Sequence, residues 1–101
     1  MPDDNLALLA RLEAKPGKED EVAEFLRDAL PLAEQEQETN TWFALRIGPS
    51  TFGIFDTFAD EAGRQAHLDG AIASALMASA DELLAEEPTI EKVEILAATR
   101  P

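Results

Sequence analysis

The stretch Asn40–Asp60, NTWFALRIGPSTFGIFDTFAD, most constrains what this chain can fold into. Thr, Trp, Phe and Ile are enriched on both sides of Gly48-Pro49-Ser50, and strands favour these residue types. Glycine and proline at the centre favour a turn. The stretch therefore predicts a β-hairpin that is followed directly by a helix beginning at Asp60.

The register of this hairpin decides which side chains share a face. If Ile47 pairs with Phe52, then Phe43 lies opposite Asp56, and directly opposed residues lie on the same side of the sheet. One face then comprises Phe43, Leu45, Ile47, Phe52, Ile54, Asp56 and Phe58, and the other comprises Trp42, Ala44, Arg46, Gly53, Phe55 and Thr57. Both faces are largely apolar. We therefore expect helices of the same chain to cover one face and a partner subunit to cover the other.

The remaining elements follow from hydrophobic periodicity and from turn signals. Pro31 lacks an N–H and its ring clashes with the preceding turn, so a kink is expected within the first helix. The predicted elements besides the hairpin are a strand Leu6–Ala14, a helix Lys18–Gln37, a helix from Asp60 to about Leu68, a helical piece Ala71–Ala85 and a strand Thr89–Ala98. This order predicts an α+β, ferredoxin-like βαββαβ fold, in which a four-stranded antiparallel sheet carries two helices on one face.

Length and composition exclude several classes of function. A chain of 101 residues predicts a single domain, 1–101. Only 8 Lys and Arg oppose 21 Asp and Glu, and the net charge of −13 argues against nucleic acid and anionic membranes as partners. The chain has no cysteine and one histidine, so neither a disulfide nor a zinc or iron site is expected. The absence of a long apolar run and of a basic start predicts a cytoplasmic location.

Two side chains are candidates for chemistry. His67 is the only histidine, and with an ordinary pKa near 6.5 it could act as a base or hold a substrate hydroxyl. Asp56 is the one charged position on an otherwise apolar face, and burying an unpaired carboxylate is costly. It either lines a pocket within reach of His67 or sits at a strand end beside an exposed base, and the sequence leaves both readings open.

Aromatic and polar residues around these two could contact a ligand. Trp42 and Arg46 share a face, where arginine could stack on the indole or clamp a carboxylate, but packing in a dimer interface is favoured. Asn40 could donate to a substrate oxygen or belong to a turn. The phenylalanines expected to form the core and pocket wall are Phe25, Phe43, Phe52 and Phe58.

The segment Thr51–Gly70, TFGIFDTFADEAGRQAHLDG, with its Ala66-His67-Leu68 tripeptide, resembles the antibiotic biosynthesis monooxygenase family, and the resemblance extends over nearly the whole chain. It implies a dimeric α+β barrel and a cofactor-independent oxidation of a phenol or quinol by dioxygen. By this resemblance His67 would be the base or donor, Asp56 its partner, and Trp42 and Asn40 substrate contacts.

The chain also departs from that family. Phe58 stands where members often have Trp, Asp56 where they have Glu, and Ile72 near the place of a second histidine. The haem-degrading branch uses a first-strand Asn and that Trp, and their absence disfavours haem degradation. Two hypotheses therefore remain: a cofactor-independent monooxygenase, or a non-catalytic homodimeric protein that binds a small ligand or serves a stress response. In both, we expect a homodimer through the sheet face that carries Trp42, Arg46 and Phe55.

Overall fold

The computed structural model describes residues 5–99 and confirms the predicted α+β, ferredoxin-like plan. Four strands form one antiparallel sheet in the order β2-β3-β1-β4. The first predicted helix is divided into two segments, and the predicted break after Leu68 is confirmed. The elements in chain order are β1 (Leu6–Glu13), α1 (Glu19–Asp28), α2 (Leu30–Glu34), β2 (Thr41–Arg46), β3 (Thr51–Phe58), α3 (Glu61–Leu68), α4 (Ala71–Leu83) and β4 (Thr89–Glu94).

Local signals place the helix boundaries. Pro31 is the second residue of α2, and the break falls at Ala29, because proline cannot continue the hydrogen-bond ladder of the preceding turn. Asp60 caps α3 as expected, since its Oδ1 accepts the N–H of Gly63 at 2.8 Å. Gly70 separates α3 from α4. None of the helices within residues 5–99 is long and apolar enough to cross a lipid bilayer.

The main core lies between the sheet and the helices. Val22 and Leu26 of α1 are buried against the sheet, which confirms the apolar stripe predicted for the first helix. Leu76 of α4 joins the same cluster. A smaller cluster contains Ala29, Ala33 and Ile72. The members of the main core are Ala10, Leu12, Ala14, Val22, Ala23, Leu26, Phe52, Ile54, Leu76 and Leu84.

The predicted hairpin register is wrong by one residue. Arg46 lies opposite Phe52 and Trp42 lies opposite Asp56, whereas the sequence predicted Ile47 opposite Phe52. A shift of one residue transfers every side chain of a strand to the other face of the sheet. The residues of β2 that face the helices are therefore Trp42, Ala44 and Arg46, and those that face away are Phe43 and Leu45.

The shift arises at the turn between the two strands. The hydroxyl of Thr51 donates to the carboxylate of Glu13 at 2.6 Å, which fixes Thr51 in the sheet beside β1. The carbonyl of Thr51 accepts the N–H of Ile47 at 2.8 Å and that of Gly48 at 3.1 Å. Ile47 is thereby held opposite Thr51, and not opposite Phe52.

The new register corrects three assignments. Trp42 and Arg46 do not lie on the sheet face proposed for a dimer. Trp42 packs against both core clusters, and the guanidinium of Arg46 lies 4.6 Å from the ring centre of Phe52. Phe43, expected in the pocket wall, is 52 % exposed on the opposite face. Phe55 does lie on that open face, together with Leu45 and the exposed Ile47.

Candidate functional site

The capped start of α3 orients the only histidine of the chain. The cap at Asp60 begins the helix, and His67 follows seven residues later on the side that faces the sheet. Its side chain is 8 % exposed. The ring of His67 lies against Phe58 at the end of β3, with ring centres 5.5 Å apart at an interplanar angle of 43°. Phe58 is fully buried, so the imidazole has a rigid apolar wall on this side.

Asp56 of β3 lies beside this imidazole. Nε2 of His67 is 2.8 Å from Oδ2 of Asp56, and the carboxylate is only 1 % exposed. The contact is an ion pair and not an aligned hydrogen bond. Among residues 5–99, no hydrogen-bond donor is aligned with either carboxylate oxygen. Of the two readings that the sequence left open for Asp56, the structure supports the buried carboxylate within reach of His67.

A second carboxylate, which the sequence analysis missed, meets the other ring nitrogen. Oε1 of Glu36 lies 2.6 Å from Nδ1 of His67, and the same oxygen accepts the hydroxyl of Thr39 at 2.7 Å. Glu36 belongs to the segment EQEQETN between α2 and β2. Nothing in that acidic run distinguishes Glu36 from its neighbours, because the pairing with His67 spans 31 residues and arises only in the fold.

Glycines allow this segment to approach α3 closely. A Cβ added at Gly70 would lie 3.3 Å from Oε2 of Glu36, and one added at Gly63 would lie 3.2 Å from Cβ of Glu38. Both distances are tighter than ordinary contacts. The glycines within and after α3 were therefore the only local signal in the sequence that a neighbouring segment packs against this helix.

The two carboxylates determine the charge on His67. Burial of the imidazole by itself lowers its pKa, because it disfavours the charged form. The contacts with Asp56 and Glu36 act in the opposite direction and dominate, so the pKa of His67 rises from 6.5 to about 9. At neutral pH the side chain is therefore an imidazolium held between two carboxylates.

The imidazole of His67 separates two cavities. The inner cavity is apolar, has a volume of about 30 Å³ and contains the Asp56 carboxylate in its wall. The outer groove has a volume of about 320 Å³ and is bordered by Glu36, Glu38 and Thr39. The inner cavity is lined by Leu8, Ala10, Ile54, Asp56, His67, Leu68, Ile72, Ala73, Leu76 and Ile90.

The other residues predicted for the site are dispersed. Trp42 lies opposite Asp56 on the same sheet face, and its Nε1 is buried without a hydrogen-bond partner among the described residues. Asn40 donates its backbone N–H to the carbonyl of Thr57 and borders a third groove with Trp42. Phe25 packs against the main core and does not line the cavity of Asp56. Together with the exposed Phe43, these positions show that only part of the predicted set converges.

Solved structures similar to this chain share its fold. Protein NE2512, of unknown function, from Nitrosomonas europaea is 66% identical, with a TM-score of 0.93, and the alignment covers 96% of this chain and 94% of that one. An antibiotic biosynthesis monooxygenase is 17% identical over 91% of this chain and 99% of its own, with a TM-score of 0.78. Rv0793 from Mycobacterium tuberculosis is 14% identical over 94% of this chain and 98% of its own, with a TM-score of 0.81. The sequence matches no protein-family model and no curated protein.

Proposed function

Because this chain belongs to the family of NE2512 and has the fold of the antibiotic biosynthesis monooxygenases, we propose that it is a cofactor-independent monooxygenase acting on a small phenol or quinol. One observation carries this proposal. The Asp56 carboxylate is buried beside an imidazolium, lacks an aligned hydrogen-bond donor among residues 5–99, and borders an apolar cavity. Such a carboxylate is poorly solvated and available to a substrate hydroxyl.

The roles of the two side chains follow from the charge on His67. A neutral imidazole would be needed for His67 to act as the base, and its raised pKa keeps it protonated at neutral pH. Asp56 therefore serves as the base. His67 holds that carboxylate in place and supplies positive charge near the anion that forms in the substrate.

The substrate supplies all the electrons. Transfer of the hydroxyl proton to Asp56 leaves a phenolate, and one electron from it reduces dioxygen to superoxide. The two radicals combine through a new carbon–oxygen bond to form a peroxide. Asp56 then returns its proton to the peroxide. Loss of the proton on that carbon and cleavage of the oxygen–oxygen bond leave one oxygen on the substrate as a carbonyl, and the other departs with both protons as water. Protons and electrons balance without a further reductant.

A substrate must enlarge the inner cavity before it can reach Asp56. A volume of about 30 Å³ accommodates roughly one water molecule. Ile90 of β4 lines the cavity and is 44 % exposed, so it marks the rim. Displacement of this side chain would open the cavity without disturbing the buried core, and we propose that it precedes substrate binding.

The apolar lining of the inner cavity also supports a second candidate function. A protein that holds a small apolar ligand without converting it needs no more than the apolar walls, and the charged groups could serve stability alone. In this alternative, Asp56 and His67 fix β3 against α3, and binding does not depend on either charge.

Oxygen uptake with a panel of quinols distinguishes the two functions. Asp56→Asn should lower kcat/KM by roughly 100-fold or more, as expected for a general base. Asp69→Asn changes an exposed carboxylate just beyond α3 and should leave the rate unchanged. The fluorescence of Trp42, the only tryptophan, reports binding separately. Binding without oxygen uptake in the unmutated protein would reject the monooxygenase and support the ligand-binding protein.

We also propose that two copies of the chain pair through the open sheet face. Phe43 and Ile47 are 52 % and 46 % exposed there, and the half-buried Leu45 and Phe55 extend the same apolar surface. A two-fold axis lets one self-complementary patch serve both subunits. Because the register places Trp42 and Arg46 on the helix side, the proposed interface is centred on Phe43 and Phe55.

A further inference from the structure

Glu36 has no part in the proton transfer proposed for Asp56, yet its side chain is also held by specific contacts. Its Oε1 contacts the imidazole at 2.6 Å and also accepts the hydroxyl of Thr39. The absence of a side chain at Gly70 leaves room for its second oxygen. A surface carboxylate that served only solubility would need neither of these two contacts.

The two ring nitrogens of His67 meet their carboxylates with different geometry. The outer nitrogen makes an aligned contact with Glu36, whereas the inner nitrogen lies 2.8 Å from Asp56 without alignment. The better-directed contact with Glu36 constrains the orientation of the ring, while Asp56 meets the nitrogen on its opposite side. The side chain of Glu36 is 19 % exposed and lies in the wall of the outer groove.

We propose that Glu36 is a positioning residue, which orients His67 and keeps it charged so that the imidazolium can hold Asp56 in its reactive state. This inference rests on the proposed role of Asp56 as the base. It assigns the segment between α2 and β2 to the site, although this segment does not border the inner cavity. The raised pKa of His67 is consistent with the arrangement.

Among residues 5–99, few other charges face the ring. Asp56 lies on β3, and Glu38 borders the same groove as Glu36. Arg64 on α3 is directed elsewhere, since it donates to Glu61 and to the backbone carbonyl of Ala7. Among the residues that line the inner cavity, β1, β4 and α4 contribute only apolar side chains.

The test compares Glu36→Gln with Glu38→Gln. The first variant keeps the shape and an acceptor for Nδ1–H but removes the charge, and the second removes a charge from the same groove without touching His67. With ¹⁵N-labelled histidine, the single His67 gives an unobstructed titration by NMR. Glu36→Gln should lower the titration midpoint by about one pH unit or more. Glu38→Gln should move it by less than about a third of that.

Turnover provides the second measurement. Charged His67 is lost above its pKa in the free enzyme, so the alkaline limb of kcat/KM should move to lower pH in Glu36→Gln by the same amount as the NMR midpoint. At neutral pH, KM should change less than about twofold. Glu36→Asp retains the charge and should restore part of both shifts.

The outcomes separate this inference from the proposed function. Equal midpoints for Glu36→Gln and Glu38→Gln would overturn the positioning role, whatever the activity. If the midpoint shifts but the protein oxidises no quinol, the monooxygenase is rejected. The effect of Glu36 on the pKa of His67 is then confirmed. If the enzyme is active and the midpoint shifts, but the alkaline limb does not move, then the contact between Glu36 and His67 does not contribute to the reaction.

Discussion

The two faces of the sheet use the same kinds of residue for opposite purposes. On the helix face, Trp42 packs against both core clusters, and Phe58 lies against the imidazolium beside the buried Asp56 carboxylate. On the open face, Phe43 and Ile47 are about half exposed, and no helix among the described elements covers them. Burial, and not residue type, distinguishes the enclosed site from the apolar surface of the open face.

The largest expected effect comes from neighbours on β2 that face opposite ways. Trp42→Asp places a charge against both core clusters and should cost at least about 4 kcal/mol of unfolding free energy, which leaves most of the chain unfolded. Phe43→Asp should leave the fold intact and weaken the proposed dimer. Circular dichroism and light scattering measure the two consequences. Equal destabilisation by both variants would contradict the observed register.

Leu26 and Leu30 allow a buried and an exposed side chain to be compared by truncation to alanine. Leu26 is 2 % exposed and Leu30 is 45 % exposed, although they lie four residues apart. Leu26→Ala should lower the free energy of unfolding by roughly 2–5 kcal/mol, because it leaves a cavity in the main core. Leu30→Ala should cost less than about 1 kcal/mol. Urea titration at one protein concentration gives both values, and a loss below half a kcal/mol for Leu26→Ala would contradict its place in the core.

The smallest expected effect is the pH dependence of the free energy of unfolding. The folded-state pKa of His67, about 9, lies above the ordinary value of 6.5. The folded protein therefore binds the proton more tightly than the unfolded chain does. This contribution to stability is complete below pH 6.5 and is lost as pH rises through about 9. We expect a loss on the order of 2 kcal/mol across this interval.

The variant His67→Gln tests the source of that loss, because it removes the titrating group. Its unfolding free energy should be nearly constant over the interval in which the unmutated protein loses stability. Denaturant unfolding at a series of pH values from 6 to 9.5 provides the measurement. A parallel decline in both proteins would assign the pH dependence to other groups.

Local physics in the sequence by itself determined the elements and most of the core. The break near Pro31, the cap at Asp60 and the buried stripe containing Leu26 depend on contacts within a few residues, so the pattern of the chain predicts them. The pairing of Asp56 with His67 could also be predicted from the sequence, because a lone charge on an apolar face requires a partner.

Only the tertiary structure decided the register of β2 and the membership of the site. Hydrogen bonds from Ser50 and Thr51 to Glu13, which lies more than 35 residues away in the chain, hold the start of β3 beside β1. The N–H groups of Ile47 and Gly48 then pair the end of β2 with Thr51. The pairing of Glu36 with His67 is likewise set by how α2, α3 and the sheet pack together. Contacts of this kind leave no periodic trace in the sequence, and a change of a single residue in register exchanges the buried and exposed sides of a strand.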